Sequence, residues 1–395
     1  MALQWTQPLN FSTSQPPSDL VLAIRDQIRR SGPISFADFM SLALYHPQFG
    51  YYSSGRSAIG RRGDYFTSVS VGPLFGRLLA RQFVEIWERM DRPNDFVIVE
   101  QGAHHGEFAN DVLEELQTTQ PEFFDLLRYR VVEPFPVLRE RQTGVLRRFA
   151  DRVEWAESLE TMASFCGVHF SNELLDSMPV RLLVAGGEDQ QRHWRERLVE
   201  RTSCGFTFVD RPIVDSGLQT QVAKLPSAPV DGYETEINLA ALDWMETVAR
   251  KLRHGVILIA DYGLPRGEFY SPSRRTGTLQ CYAEHRVLPS LLEQVGQSDL
   301  TTHVEWTSLA ERGEESGLTI LGFTDQHHFF TGLLSVHPEL APLANEKSRA
   351  LQTLIHPELL GTKFQFLGLG KDLPEEVSLG GFLFARDPRS ILGLA

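Results

Sequence analysis

The chain is poor in cysteine, short of positive charge and without long apolar runs, and each shortage removes a class of protein. Its three cysteines, Cys166, Cys204 and Cys281, lie far apart and share no C-x-x-C spacing. That pattern points to free thiols in a reducing compartment, not to a disulfide framework or a cysteine metal centre. No stretch approaches the roughly 18 consecutive apolar residues of a spanning helix, so no membrane segment is expected. No basic residue precedes Arg25. Neither a secretory n-region nor an arginine-rich presequence is therefore legible, and the cytoplasm is the expected compartment. Lys and Arg total 38 against 51 Asp and Glu, a formal net charge of −13. Little here would neutralise a row of phosphates, which argues against a nucleic acid partner. The acidity suits a basic partner, or simply solubility. His327, His328, His337 and His356 stand at no metal-ligand spacing with acids or cysteines, so no metal is expected.

What is present is a regular alternation. The first eighteen residues read as a polar arm. Helical spacing then runs from Asp19 to Arg30 with Ser18 as N-cap, and again from Ser35 to Leu44. Gly50 to Pro73 reads as an ordered loop, and Phe75 to Met90 as a helix. From Phe96 the period changes: F-V-I-V-E is a short strand followed by glycines and a helix from Phe108 to Gln117. Further strands are expected at Tyr129–Val132, at Val153–Trp155 (leading into a helical stretch) and at Val168–Ser171. Antiparallel segments with a Gly186-Gly187 turn are expected from Val180 to Val209. A helix from Leu239 to Leu252 leads into G-V-I-L-I-A-D, a buried strand ending at Asp261. Pro265 to Gly317 reads as irregular, and Ile320–Phe323, Phe364–Leu367 and Phe382–Phe384 supply the last strands. Such alternation implies a parallel sheet covered by helices on both faces.

The chemistry gathers at the strand ends. E-Q-G-A-H-H-G-E, Glu100 to Glu107, follows a strand and opens a helix. Gly102 and Gly106 there let the backbone approach a ligand beside a partly positive helix terminus. The next strand ends in Glu133, where an acid can accept from both hydroxyls of a ribose. Together these signals favour a nucleoside-containing ligand. His104 occupies the place of the middle glycine of the dinucleotide fingerprint, which counts against a nicotinamide-dependent dehydrogenase. Asn172, Glu173 and Asp176 lie just beyond another strand, where the acids could orient the planar donor fork of a guanidinium. Asn172 and Asp176 could equally cap the following helix.

Several stretches carry a family resemblance. They are Tyr45-His46-Pro47 with Gly50-Tyr51-Tyr52, Gly63-Asp64-Tyr65-Phe66-Thr67-Ser68, the Gly102–Gly106 loop, and Val132-Glu133-Pro134 with Leu138 and Gln142. To these add Asn172-Glu173-Leu174-Leu175-Asp176-Ser177-Met178-Pro179, Asp261-Tyr262-Gly263, Gly277-Thr278-Leu279-Gln280 with His285, and Gly296 to Val304. In this order they resemble the S-adenosylmethionine-dependent methyltransferase family that includes the mitochondrial protein arginine methyltransferase acting in complex I assembly, with its bacterial relatives. The resemblance covers about residues 25 to 385. It implies an α/β fold: a class I, Rossmann-like, seven-stranded core with a helical N-terminal subdomain and insertions. The expected boundaries are a flexible arm over 1–18, a cap subdomain over 19–92 and a core over 93–395 with insertions at about 180–235 and 264–318.

S-adenosylmethionine is then the expected cofactor, held by Glu100, Gly102, His104, Gly106, Glu133 and Asn172, with Glu157 as a further residue near adenine. Glu173, Asp176 and His285 are the expected catalytic residues, and Asp261, Tyr262, Asp299 and His303 the substrate side. The acceptor implied is an arginine on a partner protein, a respiratory complex subunit among the candidates, and a homodimer is in keeping with the family. One departure falls on the cofactor loop. The family usually has E-L-G-P-G-R-G-T, whereas Ala103, His104, His105 and Glu107 stand here at the proline, glycine, arginine and threonine places. Those residues leave open an alternative, a catalytically silent assembly scaffold that kept the fold.

Overall fold

The apolar runs become seven strands of one mixed sheet: β1 (Phe96–Gln101), β2 (Arg128–Val132), β3 (Val153–Ala156), β4 (Phe165–Asn172), β5 (Leu252–Asp261), β6 (Thr319–Asp325) and β7 (Gln365–Lys371). In the computed structural model the described residues are 18–54, 67–186, 193–226, 230–283, 286–340, 348–374 and 377–394. The strand order is β3-β2-β1-β4-β5-β7-β6. The first five strands are parallel, and β7 runs antiparallel to both β5 and β6. The order reverses between β1 and β4, which leaves a crevice at their carboxyl ends.

Both faces are buried, as a parallel sheet requires. Along β5, Val256, Leu258 and Ala260 point to one apolar cluster and Ile257 and Ile259 to the other, the period of two that a strand imposes. Among the described residues the helices of ten residues or more are α1 (Asp19–Ser31), α2 (Phe36–Tyr45), α3 (Leu74–Arg89), α4 (Glu107–Thr119), α5 (Pro136–Val145), α6 (Leu239–Lys251), α7 (Trp306–Glu315) and α8 (Gln326–Val336). Helices α3, α4 and α8 cover the first face, and α6 and α7 the second. Helix α3 falls within the expected cap of 19–92 and packs on the sheet. Leu78, Phe83 and Trp87 of α3 share one core with Phe96 and Phe170 of the sheet.

Helices α1 and α2 stand apart from both clusters on this sheet. They pack on a second, antiparallel sheet built from Ile34–Ser35, Arg181–Gly186, His193–Arg201, Phe206–Pro212 and Glu234–Ile237. Leu20, Ile24 and Phe39 meet Val180, Leu182 and Val199 there. Ser18 caps α1 by accepting from the Val21 amide at 3.3 Å, as its sequence position suggested. The arm before it lies outside the described residues, as does Gly187 of the expected turn, while Gly186 ends its strand.

Three expectations change. Phe382–Phe384 is no strand: Gly380–Phe382 forms a 3₁₀ turn, because the Gly380 and Gly381 amides donate to Glu85 and Gln82 of α3 instead of to a sheet edge. Residues 265–317 are not irregular. They hold α7 and a three-stranded sheet of Gln280–Ala283, Arg286–Val287 and Asp299–Thr301. No helix follows β3, where turns occupy the chain before β4.

The tightest crossing in the core is between β4 and β5. Gly255 has φ +136°, and a Cβ built there would stand 1.9 Å from the Gly167 carbonyl oxygen. Gly255→Ala is expected to cost at least about 3 kcal/mol, from positive φ and backbone overlap together. It should lower the urea midpoint at unchanged slope.

Candidate active site

A cavity of about 560 Å³ opens at the carboxyl edge of the sheet where the order reverses. That size lies within the roughly 300–1,000 Å³ of small-molecule sites. The loop after β1 forms its floor. Gly102 and Gly106 have φ of +84° and +92°, and between them His104 is held at φ +46°. Non-glycine residues seldom adopt that conformation, and it persists only where the surroundings impose it. Here the His104 carbonyl accepts from the Gln142 amide at 2.9 Å, and its ring lies 3.7 Å from that of His105. Gly106 then caps α4, directing the positive end of the helix into the cavity.

Glu100 and Glu133, expected as cofactor contacts, both line the cavity. Burial pushes the Glu100 carboxyl up to about 8, although the Tyr129 hydroxyl donates to it at 2.7 Å. Glu133 lies one residue beyond β2 and accepts from the Phe135 amide at 3.0 Å and from Gln142 at 2.9 Å. Burial still raises it to about 6. Glu157 is exposed and is not part of the cavity wall. His104, His105 and Glu107 bring ligand-type atoms within 4.8 Å of one another. Arg141 contacts His105 Nε2 at 3.0 Å and, being a guanidinium, can only donate. With the helix terminus beside it, the local field favours an anion over a cation.

On the opposite wall β4 ends in Asn172, and Glu173 follows at φ +52° with its amide donating to the Ala260 carbonyl at 2.9 Å. Asn172 Nδ2 donates to Glu173 Oε1 at 3.0 Å. Burial, with Asp176 nearby, raises the Glu173 carboxyl to about 8. Asp176 is raised to about 6, first by burial. Its Oδ2 accepts from the Tyr262 hydroxyl at 2.6 Å, while its buried Oδ1 has no partner among the described residues.

Asp261 is fully buried and stands behind the cavity wall, not in a substrate groove. It accepts from the amides of Leu175 at 2.9 Å, Asp176 at 3.4 Å and Tyr262 at 2.8 Å, and so holds the 172–177 loop in place. Asp299 accepts from the Tyr52 hydroxyl at 2.8 Å, and the His303 ring stands edge-on to Tyr262 at 5.3 Å. Both lie one layer back from the cavity. His285 lies outside the described residues.

Sequence reasoning did not single out the aromatic wall. Tyr45 stacks on Tyr52 at 5.6 Å and on Phe135 at 6.4 Å, and all three line the cavity. The available signal was Pro134-Phe135-Pro136, since proline at the first helical position announces α5 and places Phe135 just outside it.

Residues 78–324 match the family of S-adenosyl-L-methionine-dependent methyltransferases. The chain belongs to this family. Among its relatives is the protein named protein arginine methyltransferase NDUFAF7 homolog, mitochondrial, of Drosophila melanogaster, 28% identical over 89% of this chain and 84% of that one. Its human counterpart, protein arginine methyltransferase NDUFAF7, mitochondrial, is 24% identical over 94% and 87%. A crystal structure of a Burkholderia thailandensis protein bound to S-adenosyl-homocysteine superposes with a TM-score of 0.83 at 30% identity, covering 96% of this chain and all (100%) of that one. The seven-stranded methyltransferase core expected from the sequence is thus the observed fold. The curated relatives carry mitochondrial names, where the sequence expectation was the cytoplasm. Among the described residues, no helix is long and apolar enough to cross a membrane. The methyl donor of the family suits the cavity by its chemistry: a buried acid one residue past β2, a glycine loop at a helix terminus, and aromatic walls.

The buried acids make the free protein sensitive to pH. Glu100 and Glu173 have folded values near 8, above their unfolded values of about 4.3. The stability they contribute is fully present below the unfolded value and is lost as pH rises through the folded one. Glu100→Gln removes one such ionisation. The drop in urea-unfolding stability between pH 5 and pH 8 is expected to shrink by on the order of 2 kcal/mol.

Proposed function

We propose that this methyltransferase transfers the methyl group of S-adenosylmethionine to an arginine guanidinium on a partner protein, with Glu100, Gly102, His104, Gly106, Glu133 and Asn172 on the cofactor side. One observation carries the nature of the acceptor. Glu173, half-buried on the cavity wall, lies beside the buried Asp176, and no Lys or Arg among the described residues offsets their charge. Buried carboxylates of this kind are expensive unless a cation and its donors complete them. A guanidinium brings a charge, a planar fork of donors and a face that stacks on tyrosine. The wall of Tyr45, Tyr52 and Phe135 beside Glu173 suits such a group. The arginine methyltransferase names of the relatives support the same reading.

When bound, the cofactor supplies an electrophilic methyl on a sulfonium. Glu173 holds the guanidinium by two donors and fixes the attacking nitrogen about 3 Å from that methyl, so that orientation supplies much of the rate. A C–N bond forms as the S–C bond breaks, and its electron pair stays on sulfur. The proton lost from nitrogen passes to the carboxylate pair of Glu173 and Asp176, whose burial raises their affinity for it. Asp176 is steadied by Tyr262, and Asp299 and His303 support this layer from behind.

The altered loop gives the scaffold alternative its one specific observation, because His104 and His105 occupy space where the family has glycine and arginine. Calorimetric titration with S-adenosylhomocysteine separates the two readings. Micromolar binding is expected, and a folded protein without detectable binding would overturn the enzyme reading. With binding in hand, labelled methyl transfer to arginine-bearing peptides is expected but none to lysine-bearing ones. Glu173→Gln should lower kcat by about 10²–10⁴-fold while S-adenosylhomocysteine affinity stays within about twofold, a difference of only some 0.4 kcal/mol. Full activity in that variant would remove Glu173 from the chemistry.

A further inference from the structure

Three strand ends converge on Gln142. It is fully buried, on α5. Its Nε2 donates to the His104 carbonyl in the loop after β1 and to Glu133 Oε2 just beyond β2, both at 2.9 Å. Its Oε1 accepts from the indole nitrogen of Trp155 on β3 at 3.0 Å. An indole N–H can only donate, so the atom facing it must be the amide oxygen. That settles the orientation of the amide and commits both of its N–H bonds to the two acceptors. The backbone packs as closely as the side chain: a Cβ on Gly106 would stand 3.5 Å from Gln142 Cα and Cγ.

We infer that Gln142 is the positioning residue of the cofactor site, holding the glycine loop and the carboxylate of Glu133 in register so that both meet one ligand. This rests on the reading above that Glu133 faces the ribose. Two consequences follow from the bonds. The loop bond supports His104 in its left-handed conformation. The carboxylate bond favours the charged form of Glu133, the form that can accept from two hydroxyls. The charged and titratable groups around Glu133 are Arg139, on the same helix, whose guanidinium donates to the Glu133 main-chain oxygen at 2.6 Å, and, on the cavity wall, His104, His105 and the acids Glu100, Glu107 and Glu173, which as carboxylates donate nothing. None of them replaces the Gln142 donor. Arg139 acts on the main chain, and the histidines belong to the loop that Gln142 itself restrains.

The test is S-adenosylhomocysteine affinity measured by calorimetry between pH 5 and pH 8 on the full chain. In the unaltered protein the affinity is expected to fall on the acid side as Glu133, near 6, takes up its proton. Gln142→Leu removes the donor, which raises the Glu133 value. The expected result is weaker binding at pH 8, by about 5- to 100-fold for a lost buried donor, together with an acid limb displaced to higher pH. Trp155→Phe keeps the packing but frees the amide, and should show the same displacement to a smaller extent. It also serves if the leucine variant does not fold. Equal loss at every pH with an unmoved limb, or no loss, would overturn the inference. Glu133→Gln tests the underlying reading separately. If it binds as well as the unaltered protein and keeps the acid limb, Glu133 does not face the ribose, whatever Gln142 does.

Discussion

Glu100, Glu133, Glu173, Asp176 and Asp261 are all removed from water at the carboxyl ends of four parallel strands and the turns that leave them. A parallel sheet covered on both faces leaves the ends of its central strands as the place where polar groups meet the crevice. Each acid placed there pays a desolvation cost that the fold must offset with donors. Asp261 has the most donors, three backbone amides that tie down the 172–177 loop, although burial still holds its carboxyl well above the usual range. Glu133 is offset in part, by one amide and one side chain. Asp176 keeps one buried oxygen without a partner among the described residues. The donors supplied by protein thus fall off in a gradient from Asp261 through Glu133 to Asp176.

That gradient explains what could and could not be read in advance. Strands β1, β2 and β5 were legible because a short apolar run ending in an acid has few other readings, and the acids themselves marked the crevice. Neither Asp261 nor Glu173 could be assigned a layer from sequence. Both stand at strand ends, and only the turn of the 172–177 loop toward β5 decides which faces the cavity. The aromatic wall was hidden for a similar reason. Tyr45 and Tyr52 lie far from Phe135 in sequence, and their stacking depends on α2 resting against the second sheet, which local periodicity does not report.

The misread segments share one cause, competition between local propensity and distant partners. Phe382-Leu383-Phe384 has strand composition, yet the two glycines before it are tied to Gln82 and Glu85 of α3 across the chain. The stretch from 265 to 317 looked formless because its strands are two to four residues long and pair over the wide loop between Ala283 and Asp299. Helix α7 did carry a local sign, Glu305, whose carboxylate accepts from the Thr307 and Ser308 amides. An acid at that position is an ordinary cap, but with no visible apolar stripe ahead of it the sign has nothing to attach to.

The histidine pair in the cofactor loop belongs to the same balance of charge. Replacing a loop arginine by His105 removes a fixed positive charge from the mouth of the cavity. Arg141 returns one, since its guanidinium reaches His105 Nε2 from the surface of α5. The contact requires that nitrogen to carry a lone pair. In the neutral ring the proton then sits on Nδ1, the atom that lies 3.6 Å from Glu107. Arginine, histidine and glutamate thus form a chain polarised in one direction, with its negative end, Glu107, at the first residue of α4. The loop keeps its two outer glycines and the α4 terminus, with the positive Arg141 on one side of His105 and the negative Glu107 on the other. That is why the departure from the family pattern and retention of the cofactor site are physically compatible.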